Sequence, residues 1–108
     1  MKLINTYSKK VLTTRLKIAN SLAQNTFGLL KEDSNTAMLF KTRFGIHTFF
    51  MQHPIDILVL DNKLKVIHIK KDLPPNRLFF WNPLYTYIIE LPSSHNYSVK
   101  EGDILQIT

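Results

Sequence analysis

The stretch IHTFFMQHPIDILVLD, residues 46–61, decides how the chain is read. Pro54 has no amide hydrogen to give to a sheet ladder, and it drives His53 into extended geometry. QHP therefore divides two β segments, HTFFM before it and IDILVL after it. IDILVL is apolar on both of its alternating faces, the pattern of a central strand covered on each side. Asp61, Asn62 and Lys63 separate it from LKVIHI, and residues that accept turn geometry in so short a gap predict a tight antiparallel hairpin. In LKVIHIKK the alternation breaks at Val66 and Ile67, which predicts a bulge or burial on both sides.

Working outward, AMLF, YTYIIEL and DILQI add further short β blocks. RFG, the long DLPPNRLFFWNP segment and SSHNYSVKEG separate the blocks. VLTTRLKIA, residues 11–19, is β-branched and loosely alternating and is expected as one strand. The one good helix signal follows it. Asn20 or Ser21 supplies a cap, Gln24 completes a capping box with Ser21, and Leu22, Phe27, Leu29 and Leu30 form a short apolar face weakened by Gly28. The predicted fold is mostly β: an antiparallel barrel or a jelly-roll-like sandwich with one or two short helices.

Length and composition bound the rest. One hundred and eight residues with 44% hydrophobic content make a single domain, residues 1–108, with one modest core. No cysteine is present, which excludes disulfides, thiolate metal sites and a cysteine nucleophile, and fits a reducing cytoplasm. The N-terminal MKLINTYSKKVLTTR lacks the continuous apolar run of a signal peptide, and no window resembles a membrane span. The expectation is a soluble cytoplasmic protein with no membrane partner, unless a leader preceded this sequence.

The net charge of +6 is one-sided. Residues 1–45 hold eight Lys or Arg against Glu32 and Asp33, whereas residues 46–108 hold six of each sign. Such a surface suits an anionic ligand or a nucleic-acid backbone. The plainer alternative is a lysine-rich face that keeps the protein soluble.

Candidate chemistry is sparse. His47 and His53 lack the spacing of a metal pair, and His68 and His95 stand apart, so no metal or cofactor is expected. Asp56 opens an apolar strand, where a buried carboxylate needs hydrogen bonds or a cation to offset its lost hydration. It either caps a turn through backbone amides or serves a ligand. Glu90 poses the same question within YTYIIELP, and Arg77 in the long loop is the natural fork to clamp a carboxylate or an anion. No nucleophile elbow, phosphate-cradling glycine loop or nucleotide fingerprint is present, so no catalytic residue is assigned. Phe49, Phe50, Phe79, Phe80 and Trp81 offer stacking platforms, although paired aromatics at alternating positions are more often core.

In order and spacing, IANS, GLL at 28–30, MLF at 38–40, IHTFFM followed by PID, Pro75 with Arg77, IIELP, and Gly102 with Asp103 resemble the domain of unknown function 192 family. The similarity runs from about Leu16 to Ile107. It implies a mostly β barrel or jelly-roll fold, and it places His47, Met51, Asp56, Arg77 and Glu90 on motif positions, the candidate ligand-binding set. It implies no reaction. Asn25 stands where the family usually has arginine, Asn76 replaces its tryptophan after Pro75, and Ser93 and Ser94 replace its alanine and glycine. A ligand held by that arginine or tryptophan binds differently here.

Three functions follow as expectations. The first is a small non-enzymatic binding or accessory domain with a polar pocket at a strand-end rim, taking a small or anionic ligand. The second is a nucleic-acid-associated protein using the basic N-terminal half. The third is a hydrolase built on Asp56 and Glu90, which requires the two carboxylates to face each other. Oligomeric state is not legible.

Overall fold

The computed structural model describes residues 1–18, 37–41, 45–47, 53–93 and 97–108. The described strands are β1 Leu3–Asn5, β2 Val11–Thr13, β3 Leu16–Ile18, β4 Ala37–Lys41, β5 Ile46–His47, β6 Ile55–Leu60, β7 Val66–Leu73, β8 Leu78–Phe79, β9 Tyr87–Pro92 and β10 Leu105–Ile107. They form a five-stranded sheet in the order β3-β4-β9-β6-β7, a three-stranded sheet in the order β10-β1-β2, and a ribbon of β5 with β8. Among the described residues neither larger sheet closes on itself, so the sandwich, and not the barrel, is the architecture found. The predicted helix over residues 20–30 lies outside the described residues, as does the HTFFM block beyond His47.

The large sheet explains why IDILVL is apolar throughout. β6 runs antiparallel to β9 on one side and to β7 on the other, and every one of its residues is buried. Successive side chains alternate faces. Leu58, Leu60, Ile89 and Leu91 meet Leu3, Leu12, Leu16 and Leu105 in one core beneath the three-stranded sheet. Ile55, Ile57, Val59 and Ile88 join Met38, Ile46 and Leu73 in a second core, over which Phe79, Trp81 and Tyr85 pack. Each such aliphatic side chain, fully withdrawn from water, contributes about 1.5–3 kcal/mol.

The β6–β7 hairpin has the expected pairing. Its turn is held by Asp61, whose Oδ1 accepts from the amides of Lys63 at 2.8 Å and Lys65 at 3.0 Å. The left-handed residue is Leu64, with φ 63°, and not one of the three expected turn residues. Asp61 supplies enough hydrogen bonding to hold a leucine there while its side chain rests against the first core. The register shifts between Val59 and Leu60, leaving Ile67 as the extra residue, so the break in alternation marks a bulge.

VLTTRLKIA differs from expectation. It is two strands, because Thr13 Oγ1 accepts the amide of Arg15 at 3.1 Å and turns the chain. Val11–Thr13 stays in the small sheet, and Leu16–Ile18 crosses into the large one. There β3 pairs with β4 in parallel, departing from the all-antiparallel expectation. A parallel pair needs a connection of a dozen or more residues, and the interval between Ile18 and Ala37 is long enough for one.

Leu3–Asn5 carried no strand signal, yet β1 is the centre of the small sheet, bonded to both β2 and β10. Its end is anchored by Asn5. The buried Asn5 amide donates to Asp103 Oδ2 at 2.7 Å and to the Ser98 carbonyl at 3.3 Å, while Asp103 Oδ2 also accepts the Lys100 amide at 2.9 Å. No described helix is long and apolar enough to cross a membrane.

Candidate functional site

The first of the sequence-derived residues, Asp56, is 3% exposed and fully engaged within the protein. Its Oδ1 accepts the amide of Asp72 and the Ser93 hydroxyl, each at 2.8 Å, and its Oδ2 accepts the phenol of Tyr97. Asp72 has φ 53° at the irregular end of β7, so Asp56 fastens a strained backbone amide. Burial, followed by the bond to Asp56 and the charges of Asp56 and Asp72, pushes the Tyr97 phenol well above its ordinary range. Lys71 Nζ lies 4.8 Å from the centre of the Tyr97 ring, a cation over its face. The donors to Asp56 are one backbone amide on the neighbouring strand and two side-chain hydroxyls, so this is a cross-strand anchor and not the cap of a local turn.

Glu90 is 2% exposed and lies in the next strand, but on the other face. The register pairs Asp56 with Leu91 and Ile57 with Glu90. Adjacent residues point oppositely, so Asp56 shares the face of the first core and Glu90 the face of the second. The two carboxylates do not face each other, and an acid–base pair built from them has no geometric basis.

Glu90 instead belongs to a row across the large sheet: Met38 pairs with Glu90, Glu90 with Ile57, and Ile57 with Lys70. Lys70 thus sits on the same face two strands from Glu90, roughly 10 Å away along the row. His68 pairs with Val59 and shares that face. The ribbon brings in two more of the expected residues. The backbone of His47 pairs with Leu78, and Arg77 immediately precedes Leu78. His47, Arg77 and Glu90 therefore belong to the ribbon side of the molecule, and Asp56 to the opposite side. Met51 lies outside the described residues.

On the ribbon side, between β7 and the segment leading into β8, runs an open trough of about 750 Å³. Lys70 and Arg77 bring two cations to it, His68 and Phe79 a pair of rings, and Leu78 an exposed apolar wall, while Lys71, also along its lining, carries its ammonium to the Tyr97 ring on the Asp56 side. None of its described lining residues is a carboxylate. The His68 and Phe79 rings stack with centroids 6.1 Å apart and planes inclined by 17°, and Phe79 meets Trp81 at 5.8 Å. Trp81 is itself fixed by donating its indole N–H to the Tyr85 carbonyl at 2.7 Å. At the rim, His68 Nδ1 lies 3.5 Å from a Glu101 carboxylate oxygen. The volume falls within the roughly 300–1,000 Å³ of ligand-sized sites. Among the described residues no group of three or more His, Cys, Asp or Glu is placed to hold a metal ion.

Sequence reasoning found Arg77 here and passed over Lys70 and Lys71. Their only signal was the KK ending LKVIHIKK, which reads as an ordinary solvated edge. Ser93 and Tyr97, the side-chain partners of Asp56, left no signal, because 37 and 41 residues separate them from it.

Fold and trough together define a small two-sheet β domain of the sandwich kind, with a covering ribbon and a cationic groove at its flank. The chain belongs to the DUF192 family, described as Uncharacterized ACR, whose sequence profile matches residues 3–107. It is 37% identical over 97 residues to a UPF0127 protein of Thermococcus sibiricus, an alignment covering 83% of this chain and 62% of that protein. A UPF0127 protein of Pyrococcus horikoshii is 32% identical over 91 residues, 79% of this chain and 78% of that one. Two crystal structures share the fold. A Novosphingobium aromaticivorans protein of unknown function superposes with a TM-score of 0.75 at 16% identity, over 98% of this chain and 82% of that one. A Sinorhizobium meliloti protein provisionally called a transcription regulator gives 0.71 at 20% identity, over 97% and 89%.

Proposed function

We propose that this protein is a small binding or accessory domain that takes an anionic ligand in the trough beside β7. One observation carries the reading: Lys70 and Arg77 converge on a ligand-sized groove that has no carboxylate among its described lining residues. The second half of the chain as a whole holds six charges of each sign, so this local excess is a matter of placement. Arg77 supplies a planar fork for a carboxylate or phosphate, and Lys70 supplies a point charge. His47 stands on the neighbouring ribbon strand and Glu90 beneath it. In this reading Glu90 sets the charge behind the groove, and Asp56 holds the end of β7 in shape from the far side. The absence of cysteine supports a cytoplasmic setting.

Titration with a panel of polyanions, namely citrate, inorganic polyphosphate and acidic peptide, tests this reading. At least one should bind, with affinity falling as salt rises, and Arg77→Ala combined with Lys70→Ala should weaken it about tenfold or more. Absence of binding by every anion at low salt sinks the reading.

Nucleic acid held by the basic N-terminal half is a second reading, favoured by the exposure of Lys2, Lys9, Lys10 and Lys17. It predicts a steep salt slope for an oligonucleotide that the Arg77 and Lys70 substitutions leave untouched.

A further inference from the structure

We infer that the trough ligand is an extended acidic peptide that adds as a strand to the open edge of β7. This inference rests on the anion-binding reading above. β7 ends the order β3-β4-β9-β6-β7. On its outer side Val66 is occupied: its amide donates to the Asp103 carbonyl and its carbonyl accepts the Gly102 amide, each at 2.8 Å. Past Val66 no such outer backbone bond joins Ile67–Lys71 to another described segment. Along an edge strand every second residue turns its N–H and C=O outward, so this stretch is a template for one more strand.

The trough begins where that pairing stops. Its floor and walls are His68 to Lys71 on one side and Pro74 to Phe79 on the other. A chain laid in it at the usual strand spacing of about 4.8 Å meets the backbone of β7, and its alternate side chains meet either the cations or Leu78.

Charge selects the partner. Lysines on an edge strand normally repel a second copy of the same chain, and here Lys70 and Lys71 would face their own like. Lys70, together with Arg77 across the trough, favours a strand bearing Asp or Glu at alternate positions. A single-stranded nucleic acid fits less well, because it needs free ring faces on which to stack bases. In the trough the rings of His68 and Phe79 are stacked on one another, and Phe79 also meets Trp81.

The test uses the full chain and four probes: a blocked peptide alternating Asp or Glu with Val, the same peptide N-methylated at alternate amides, oligothymidylate, and inorganic polyphosphate. Binding is read by fluorescence anisotropy and by amide hydrogen exchange along β7. The inference expects the unmodified peptide to bind and to slow exchange within Ile67–Lys71. N-methylation should weaken it about tenfold or more, through the loss of one or two backbone bonds. Lys70→Glu and Arg77→Glu, both at exposed positions and checked for folding by circular dichroism, should abolish binding. Equal binding of the methylated peptide overturns strand addition and leaves the anion reading standing. Binding of oligothymidylate or polyphosphate alone does the same. If none of the four binds, both fall.

Discussion

Asp56 shows what a buried carboxylate requires. Three donors converge on it, from Asp72, Ser93 and Tyr97. Removing one leaves part of a desolvated charge unanswered, so Tyr97→Phe should lower stability by about 1–3 kcal/mol in urea unfolding at neutral pH. The same substitution has a pH signature. Folding raises the Tyr97 phenol above its ordinary 10.0, so above that pH the unfolded chain loses a proton that the folded one keeps. The contribution is complete below pH 10.0 and is lost progressively as pH climbs from there. Unfolding followed from pH 8 to 11 should therefore fall less steeply in Tyr97→Phe than in the parent. Parallel curves would mean that Tyr97 does not hold its proton through Asp56. The Asn5–Asp103 bond is the second buried polar anchor, and Asp103→Ala should cost about 1–3 kcal/mol by stranding the Asn5 amide.

At the scale of elements, the ribbon of β5 and β8 depends on Gly45. Its φ is +92°, and a methyl group there would stand 2.5 Å from the Phe80 ring and 2.6 Å from the Phe79 carbonyl. Gly45→Ala must strain the backbone or lift β8, and should cost about 1–3 kcal/mol. Because Phe79 stacks on both His68 and Trp81, the emission of Trp81, the chain's single tryptophan, should shift as well. An unchanged spectrum and stability would show that β8 does not need the close approach. Gly102, with φ +94° but open space about it, lacks that second constraint, so the penalty of its alanine variant is conformational only. The hairpin, by contrast, was legible in advance. IDILVL and LKVIHI stand side by side in the chain, and turn chemistry and alternation alone suffice to pair them.

At the scale of the molecule, both faces of the five-stranded sheet are covered, one by the small sheet and one by the ribbon and its aromatics. β1 is the keystone of the first cover. Leu3 is fully buried beneath it, and Leu3→Ala should cost about 2–5 kcal/mol as a cavity opens in that core. A thermal melt unmoved by that change would place the small sheet outside the cooperative unit. Phe80 and Leu84 remain 65% and 81% exposed, marking where the aromatic segment faces outward.

Composition, alternation and turn residues were enough to determine a single β-rich domain, the β6–β7 hairpin, its bulge and the interior place of IDILVL, because these depend on neighbours in the chain. The parallel β3–β4 pair joins Leu16 to Ala37, and the strand Leu3–Asn5 is bonded to Leu105–Ile107 at the other end of the chain, so neither could be read from neighbours. The same holds for the site. Arg77 was visible as a fork in a loop, but the separation of Asp56 from Glu90 follows from register and pleat. The meeting of Arg77 with Lys70 needs β7 and β8 folded onto one flank, and only the tertiary structure decides such pairings, since a one-residue slip sends every side chain of a strand to the other face.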